Sequence, residues 1–177
     1  MFVKKELSEL NRLNTEEFKA KKKIPLVVVL DNIRSQHNVG AVFRTSDAFL
    51  VEKIYLCGIT ATPPNREIHK AALGATESVE WAYFEKTADA VNSLKNRGFL
   101  IFALEQARNS ISFLEFAPTT PMALILGNEV DGISDDVMPL VDGVLEIPQF
   151  GTKHSLNVSV SAGIAIWEIF KKLTVDN

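Results

Sequence analysis

Ile24–Thr45, IPLVVVLDNIRSQHNVGAVFRT, sets the architecture. Its first eight residues are continuous, β-branched and apolar, which suits a strand buried on both faces. The polar NIRSQHN that follows reads as a loop. Asn38 is placed to cap a helix running to about Leu50. Strand, loop and helix in that order open an α/β unit, and the rest of the chain repeats the order. Further strands are expected at Lys53–Ile59, Val79–Phe84, Phe99–Leu104, Met122–Leu126 and Val144–Ile147. Between them lie one or two helical turns at Glu67–Leu73 stopped by Gly74, a helix at Thr87–Asn96 closed by Gly98, and a short helix capped by Ser134 and ended or kinked by Pro139. Pro63-Pro64 marks a loop. Ser155 or a neighbour opens a last helix to about Leu173. Continuous apolar strands alternating with helices predict an α/β fold, a mostly parallel sheet with helices on both faces. Periodicity does not give the strand order.

The chain has 177 residues, which suits one domain, and a single cysteine, Cys57, which leaves no internal disulfide or zinc cluster. No charged leader with an apolar core is visible and no apolar run approaches ~18 residues, so the sequence reads as cytoplasmic with no membrane segment. Net charge is −3, unevenly spread. Residues 1–23 hold seven Lys/Arg against four Glu, a balance of +3, and the remainder a balance of −6. Residues 1–23 are therefore read as a basic N-terminal helical extension, polar from Lys4 to Lys23, on an acidic body at 24–177.

The last helix is apolar on two sides. Leu156, Val160, Gly163, Ile164 and Trp167 form one face, and Val158, Ala162, Ala165, Ile166, Ile169 and Leu173 a nearly opposite one. Such a helix is buried twice. One face covers the sheet, and the other needs another helix of the chain or a second subunit, of which the homodimer is the more economical.

Three segments place glycine and small polar residues where a strand gives way to a loop or helix: NVGAVFRT at 38–45, GNEVDGIS at 127–134 and IPQFGTKHSLNV at 147–158. Ligands of open α/β sheets bind at such junctions. Arg44 lies roughly opposite the core stripe of its helix and carries five fixed donors suited to a phosphate or carboxylate. Gly127, directly after a strand, lets a ligand approach the backbone. Glu129 can accept from a ligand amine, orient Arg44, act as a base, or simply bond within its loop. Ser155 reads as an N-cap and Asn157, in the first turn, as a residue with a side-chain task. His37, His69 and His154 have no metal-ligand spacing, and no phosphate-loop or dinucleotide fingerprint is present. A fourth segment, PPNREIHKAALGA, groups Arg66, His69 and Lys70 as a grip for a polyanion.

Taken together these segments resemble the SpoU/TrmH family of the SPOUT superfamily, ribose 2′-O-methyltransferases of tRNA and rRNA. The resemblance runs from about Ile24 to Leu173, with NVGAVFRT, GNEVDGIS and IPQFGTKHSLNVSVSAGIA as its three motifs in order. It implies a SPOUT fold with a C-terminal trefoil knot, a homodimer packed at the knot, and S-adenosylmethionine as cofactor without a metal. By position it implies that Leu104, Gly127, Ile147 and Leu156 line the cofactor pocket. It implies site roles for Asn38, Arg44, Glu129, Ser155 and Asn157, with Arg44 beside the reacting hydroxyl and an RNA phosphate. Because an arginine side chain stays protonated at neutral pH, Arg44 is either a base or an electrostatic stabiliser. Asn38 and Asn157 would orient the reacting groups, and Ser155 with Glu129 would shape the cofactor site. Larger relatives carry an N-terminal RNA-binding domain, for which ~23 residues are too few. The RNA is then held by the catalytic dimer, the basic arm and Arg66, His69 and Lys70. Methyl transfer to RNA, tRNA before rRNA, is the expected function; the alternative is a non-catalytic RNA-binding or assembly protein with the same fold.

Overall fold

A computed structural model describes residues 2–118 and 120–174. Residues 1, 119 and 175–177, all but the first within the expected 24–177 domain, lie outside the described residues. The first strand is β1 (Ile24–Asp31), as its apolar run dictates. It is followed by α2 (Gln36–Ala48), β2 (Val51–Cys57), α3 (Arg66–Ala72), α4 (Ala75–Ser78), β3 (Trp81–Phe84) and α5 (Thr87–Asn96). Then come β4 (Leu100–Leu104), β5 (Ile111–Ser112), β6 (Met122–Leu126), β7 (Gly143–Glu146) and α6 (Val158–Thr174). The seven strands form one sheet in the order β3-β2-β1-β6-β4-β7-β5. Every pairing in it is parallel.

Alternation along β1 splits the core in two. Leu26, Val28 and Leu30 face a layer built from α2, α3, α4 and α6, while Val27 and Val29 face α5. Fully burying one such aliphatic or aromatic side chain stabilises the fold by about 1.5–3 kcal/mol. Phe43 on α2 and Leu94 on α5 anchor the two layers and are both fully buried. Pro25 has no N–H to offer β2, and the β1–β2 register shifts between Ile24 and Val27. Cys57 is fully buried, and burial pushes its thiol up to about 12, so it behaves as a small apolar side chain.

Several boundaries differ from the sequence reading, each for a local reason. The N-terminal segment is not one helix. It is a 3₁₀ turn at Leu7–Leu10 and a short α1 (Thr15–Ala20), separated where Asn11 takes a left-handed conformation. Asn14 then opens α1 with a capping box: its side chain accepts from the Glu17 amide, and the Glu17 carboxylate accepts from the Asn14 amide, both at 2.9 Å. Asn38 does not cap α2. Ser35 does, accepting from the Asn38 amide at 3.2 Å, which places Asn38 inside the first turn. Ser155 does not open α6. Asn157 does: its Oδ1 accepts from the Ser159 amide and its carbonyl from the Ser161 amide, both at 2.9 Å. Ser134 caps no α-helix; its carbonyl closes a turn that leads to a 3₁₀ turn at Met138–Leu140 holding Pro139. The two-residue β5 was too short to leave a periodic signal.

Candidate functional site

Adjacent strands β6, β4 and β7 end at Leu126, Leu104 and Glu146, and a cavity of about 500 Å³ opens over these ends. The volume falls within the ~300–1,000 Å³ usual for small-molecule sites. One wall is the Gly127–Ser134 loop, and the other is the Ile147–Asn157 segment with the start of α6.

The first wall is bonded throughout. Asp31 ends an otherwise apolar strand and is fully buried. Its carboxylate accepts from the Ser134 amide at 2.8 Å and from the hydroxyls of Thr87 and Ser134. The Asn128 side chain donates to the Asn32 carbonyl at 2.7 Å, and Asn128 and Gly132 exchange backbone hydrogen bonds. Gly127 is required here. A β-carbon on it would collide with the backbone of Gly132 and Ile133, so the missing side chain makes room for the chain's own turn before it makes room for a ligand.

Glu129 projects from this loop to the start of α2. Its carboxylate accepts from the Arg34 amide at 2.9 Å, the Ser35 amide at 3.1 Å and the Asn38 side-chain amide at 2.9 Å. It therefore neutralises amides that a helix start leaves without partners. Partial burial opposes its charge, but these donated bonds, with one from its own amide, outweigh burial and hold the carboxyl below its ordinary value of 4.5. A carboxylate so engaged is a weak base. Asn38, buried, passes the order on: its Oδ1 accepts from the Asn157 side chain at 3.3 Å. Glu129, Asn38 and Asn157 thus tie the 127–134 loop, α2 and α6 into one chain of hydrogen bonds.

The second wall is open by contrast. Ser155 and Leu156 are exposed, and the segment is held by the Gln106 side chain on the His154 carbonyl at 2.7 Å. Leu104, Gly127, Ile147 and Leu156 all line the cavity, together with Glu129, Ser155 and Asn157. Asn38 reaches it only through its partners. Arg44 does not line it. It is exposed on α2, outside the hydrogen bonds and ion pairs found among the described residues. Arg66 and His69 are exposed on α3, and Lys70 is held by Glu67 at 2.9 Å.

The chain matches the model of the SpoU rRNA Methylase family over residues 25–167. It belongs to that family. The tRNA (guanosine(18)-2′-O)-methyltransferase of Aquifex aeolicus is 37% identical over 152 residues, which is 84% of this chain and 70% of that protein. A crystal structure of the A. aeolicus TrmH/SpoU tRNA modifying enzyme superposes with a TM-score of 0.79 at 30% identity, covering 89% of this chain and 79% of that one. The AdoMet-bound rRNA methyltransferase of Sinorhizobium meliloti gives 0.80 at 26% identity over 87% of this chain and 58% of that longer one.

In this SpoU-family chain the cavity fits S-adenosylmethionine chemically. Leu104, Ile147 and Leu156 offer apolar surface to an adenosine, and the turn at Gly127 and Gly132 offers backbone groups. Four carboxylates, Glu105, Glu129, Asp131 and Glu146, line it with no Lys, Arg or His, a field that suits a cationic sulfonium. Among the described residues no cluster of His, Cys, Asp or Glu could hold a metal ion, and no helix is long and apolar enough to cross a membrane. Sequence reasoning passed over Asp31, Asn128 and Glu105. The only signal for Asp31 was a charged residue closing an apolar strand.

Proposed function

We propose that this chain transfers the methyl group of S-adenosylmethionine to a ribose 2′-hydroxyl of structured RNA in the cytoplasm, with transfer RNA as the substrate class. The observation that carries the reading is the cavity over β6, β4 and β7, acidic and apolar by turns, closed by the Glu129–Asn38–Asn157 chain of hydrogen bonds. The names of the A. aeolicus relatives support tRNA over the rRNA of the S. meliloti enzyme, which is less identical.

Bound S-adenosylmethionine supplies an electrophilic methyl carbon. Leu104, Gly127, Ile147 and Leu156, which line the cavity, would hold it, and Ser155 would shape the mouth. As the ribose oxygen takes the methyl carbon, the carbon–sulfur bond would break, a neutral thioether would leave, and the hydroxyl proton would pass to the RNA phosphate or to water. Asn38 and Asn157, locked to one another, orient that mouth. Arg44, outside the cavity and outside the hydrogen bonds and ion pairs of the described residues, would meet the RNA phosphate at the mouth and stabilise the oxygen as it loses its proton. Glu129 does not remove the proton; it keeps Asn38 in place. The basic N-terminal segment and Arg66, His69 and Lys70 hold the RNA beyond the reacting nucleotide.

Two architectural readings accompany this one. We infer a C-terminal trefoil knot from membership of the SpoU family; the return of the chain from β7, beyond β4, to pack α6 on α2 is compatible with it. The chain also forms a homodimer through α6. Leu156, Val160, Ile164 and Trp167 stand 38–50% exposed in a row, and nothing lies within 4 Å of a β-carbon on Gly163. Sedimentation is expected to give a dimer that Ile164→Glu converts to monomer; a monomeric wild type overturns it.

Methyl transfer from labelled cofactor to total RNA of a deletion strain, with chelator present and the product mapped by nucleoside, tests the function. A 2′-O-methylnucleoside appearing in tRNA is the expected result. RNA binding without transfer would instead mark a non-catalytic RNA-binding protein.

A further inference from the structure

A second cavity, of about 560 Å³, lies between α3, α4 and the edge strand β3. Its walls include Pro63, Pro64 and Trp81, and its polar lining includes Arg66, His69 and Glu77. Trp81 is half-buried, packed on the core by one side, which fixes its ring. The side chains of Arg66, His69 and Glu77 are exposed and take part in no hydrogen bond or ion pair found among the described residues.

A phosphate alone does not account for this lining. It would be repelled by Glu77 and would gain nothing from the indole or the proline rings. An unpaired nucleobase uses every group: a π-face for Trp81, an amino or imino N–H for the Glu77 carboxylate, and its backbone phosphate for Arg66 and His69 at the rim. The surroundings have the matching charge. α1 packs on α4 and leaves Lys19, Lys21 and Lys22 exposed nearby. On α2, Gly40 rests against α3, a β-carbon there lying 2.5 Å from the Ile68 carbonyl oxygen, and Asp47 accepts from the Ser78 hydroxyl of α4. Arg44 stands on the adjoining stripe of the same helix, flanking the same two elements.

We propose that this cavity is a subsite for an extruded, unpaired nucleobase of the RNA substrate, stacked on Trp81 and read at an N–H edge by Glu77. The inference rests on the RNA methyl-transfer reading. Bulk tRNA from a strain lacking the gene is the probe, with affinity measured across a salt series. Trp81→Leu is expected to weaken binding about 5- to 100-fold through lost stacking, with the salt slope and cofactor affinity of wild type. Trp81→Phe, which keeps a ring, is expected to stay within about threefold. A Trp81→Leu protein that binds tRNA within twofold of wild type overturns the subsite. The unaltered protein gives an independent answer by photocross-linking to 4-thiouridine-containing RNA. Adducts on the peptide bearing Trp81 support the subsite, and adducts confined to other segments overturn it. If the unaltered protein methylates no RNA, the functional reading fails; if it methylates and the Trp81 variants behave as wild type, only the subsite fails.

Discussion

Two sets of polar side chains are assigned to the proposed site, and they are held in opposite ways. Glu129, Asn38 and Asn157 spend their hydrogen-bonding capacity on one another and on the start of two helices. Arg44 and Arg66 sit on exposed helix surfaces, outside the hydrogen bonds and ion pairs found among the described residues. Groups of the first kind build the cavity, so changing them disturbs fold, cofactor and reaction together. Groups of the second kind hold nothing among the described residues, so under the proposed assignment their loss is felt only when RNA arrives.

The widest separation of the two is expected at Arg44. Arg44→Ala should lower single-turnover methylation at saturating RNA about 10²–10³-fold, as for removal of one preorganised stabilising donor. Its melting temperature should stay near wild type, because no contact is lost. Arg44→Lys keeps the charge without the planar fork and should rescue poorly. Activity within threefold of wild type for Arg44→Ala would break the assignment.

Gly127→Ala probes the bonded side. Its methyl group meets backbone, which cannot swing aside, so the cost should be about 1–3 kcal/mol. That corresponds to a fall of roughly 2–12 °C in Tm for a chain of this size, with cofactor binding weakened in parallel. A Tm fall with unaltered cofactor affinity in calorimetry would show that the loop does not shape the cavity.

Glu129→Gln is a smaller change with a pH signature. The folded pKa is lowered, so the carboxylate stabilises the fold fully above its ordinary value of 4.5 and loses that contribution as pH falls through the lower folded value. Urea unfolding at pH 6.5 should show the variant less stable by about 1 kcal/mol, discounted for the exposure of the group. The gap should narrow near pH 3. A pH-independent gap would mean that the charge contributes nothing.

The smallest effects divide α3. Arg66→Ala should lower the salt slope of tRNA binding by about 0.7–0.9 if it holds one phosphate. Lys70→Ala should lower it less, because Glu67 already engages that ammonium. Equal slopes for both variants and wild type would return α3 to ordinary surface.

Much of this was legible in the residues. β1, β6 and α5 fall where continuous apolar runs and a glycine stop place them, and the two faces of α6 divide into a buried and an exposed one as the wheel requires. Leu104, Gly127, Ile147 and Leu156 could be placed by family resemblance alone, since no spacing rule links four residues on four segments. The caps were misplaced because Ser, Asn and Asp compete for the same role. Ser35 and Asn38 sit three apart, Ser155 and Asn157 two apart, and only the folded geometry decides which one turns inward. Glu129 was ambiguous for a related reason: its partners are amides 91 to 95 positions away. Strand order lay beyond periodicity altogether.

That order has a consequence for how the chain is made. β1 pairs early with β2, but its other neighbour, β6, is about a hundred residues downstream, with Leu26 beside Met122. At a synthesis rate of about 5–20 residues per second, the β6-facing edge of β1 waits roughly 5–20 s for its partner, the last ~2–8 s of them as the margin of a half-sheet of β1, β2 and β3. A strand buried almost throughout in the finished sheet is thus, on the ribosome, an exposed margin. A cell making this protein must keep that margin from other nascent chains until β6 emerges.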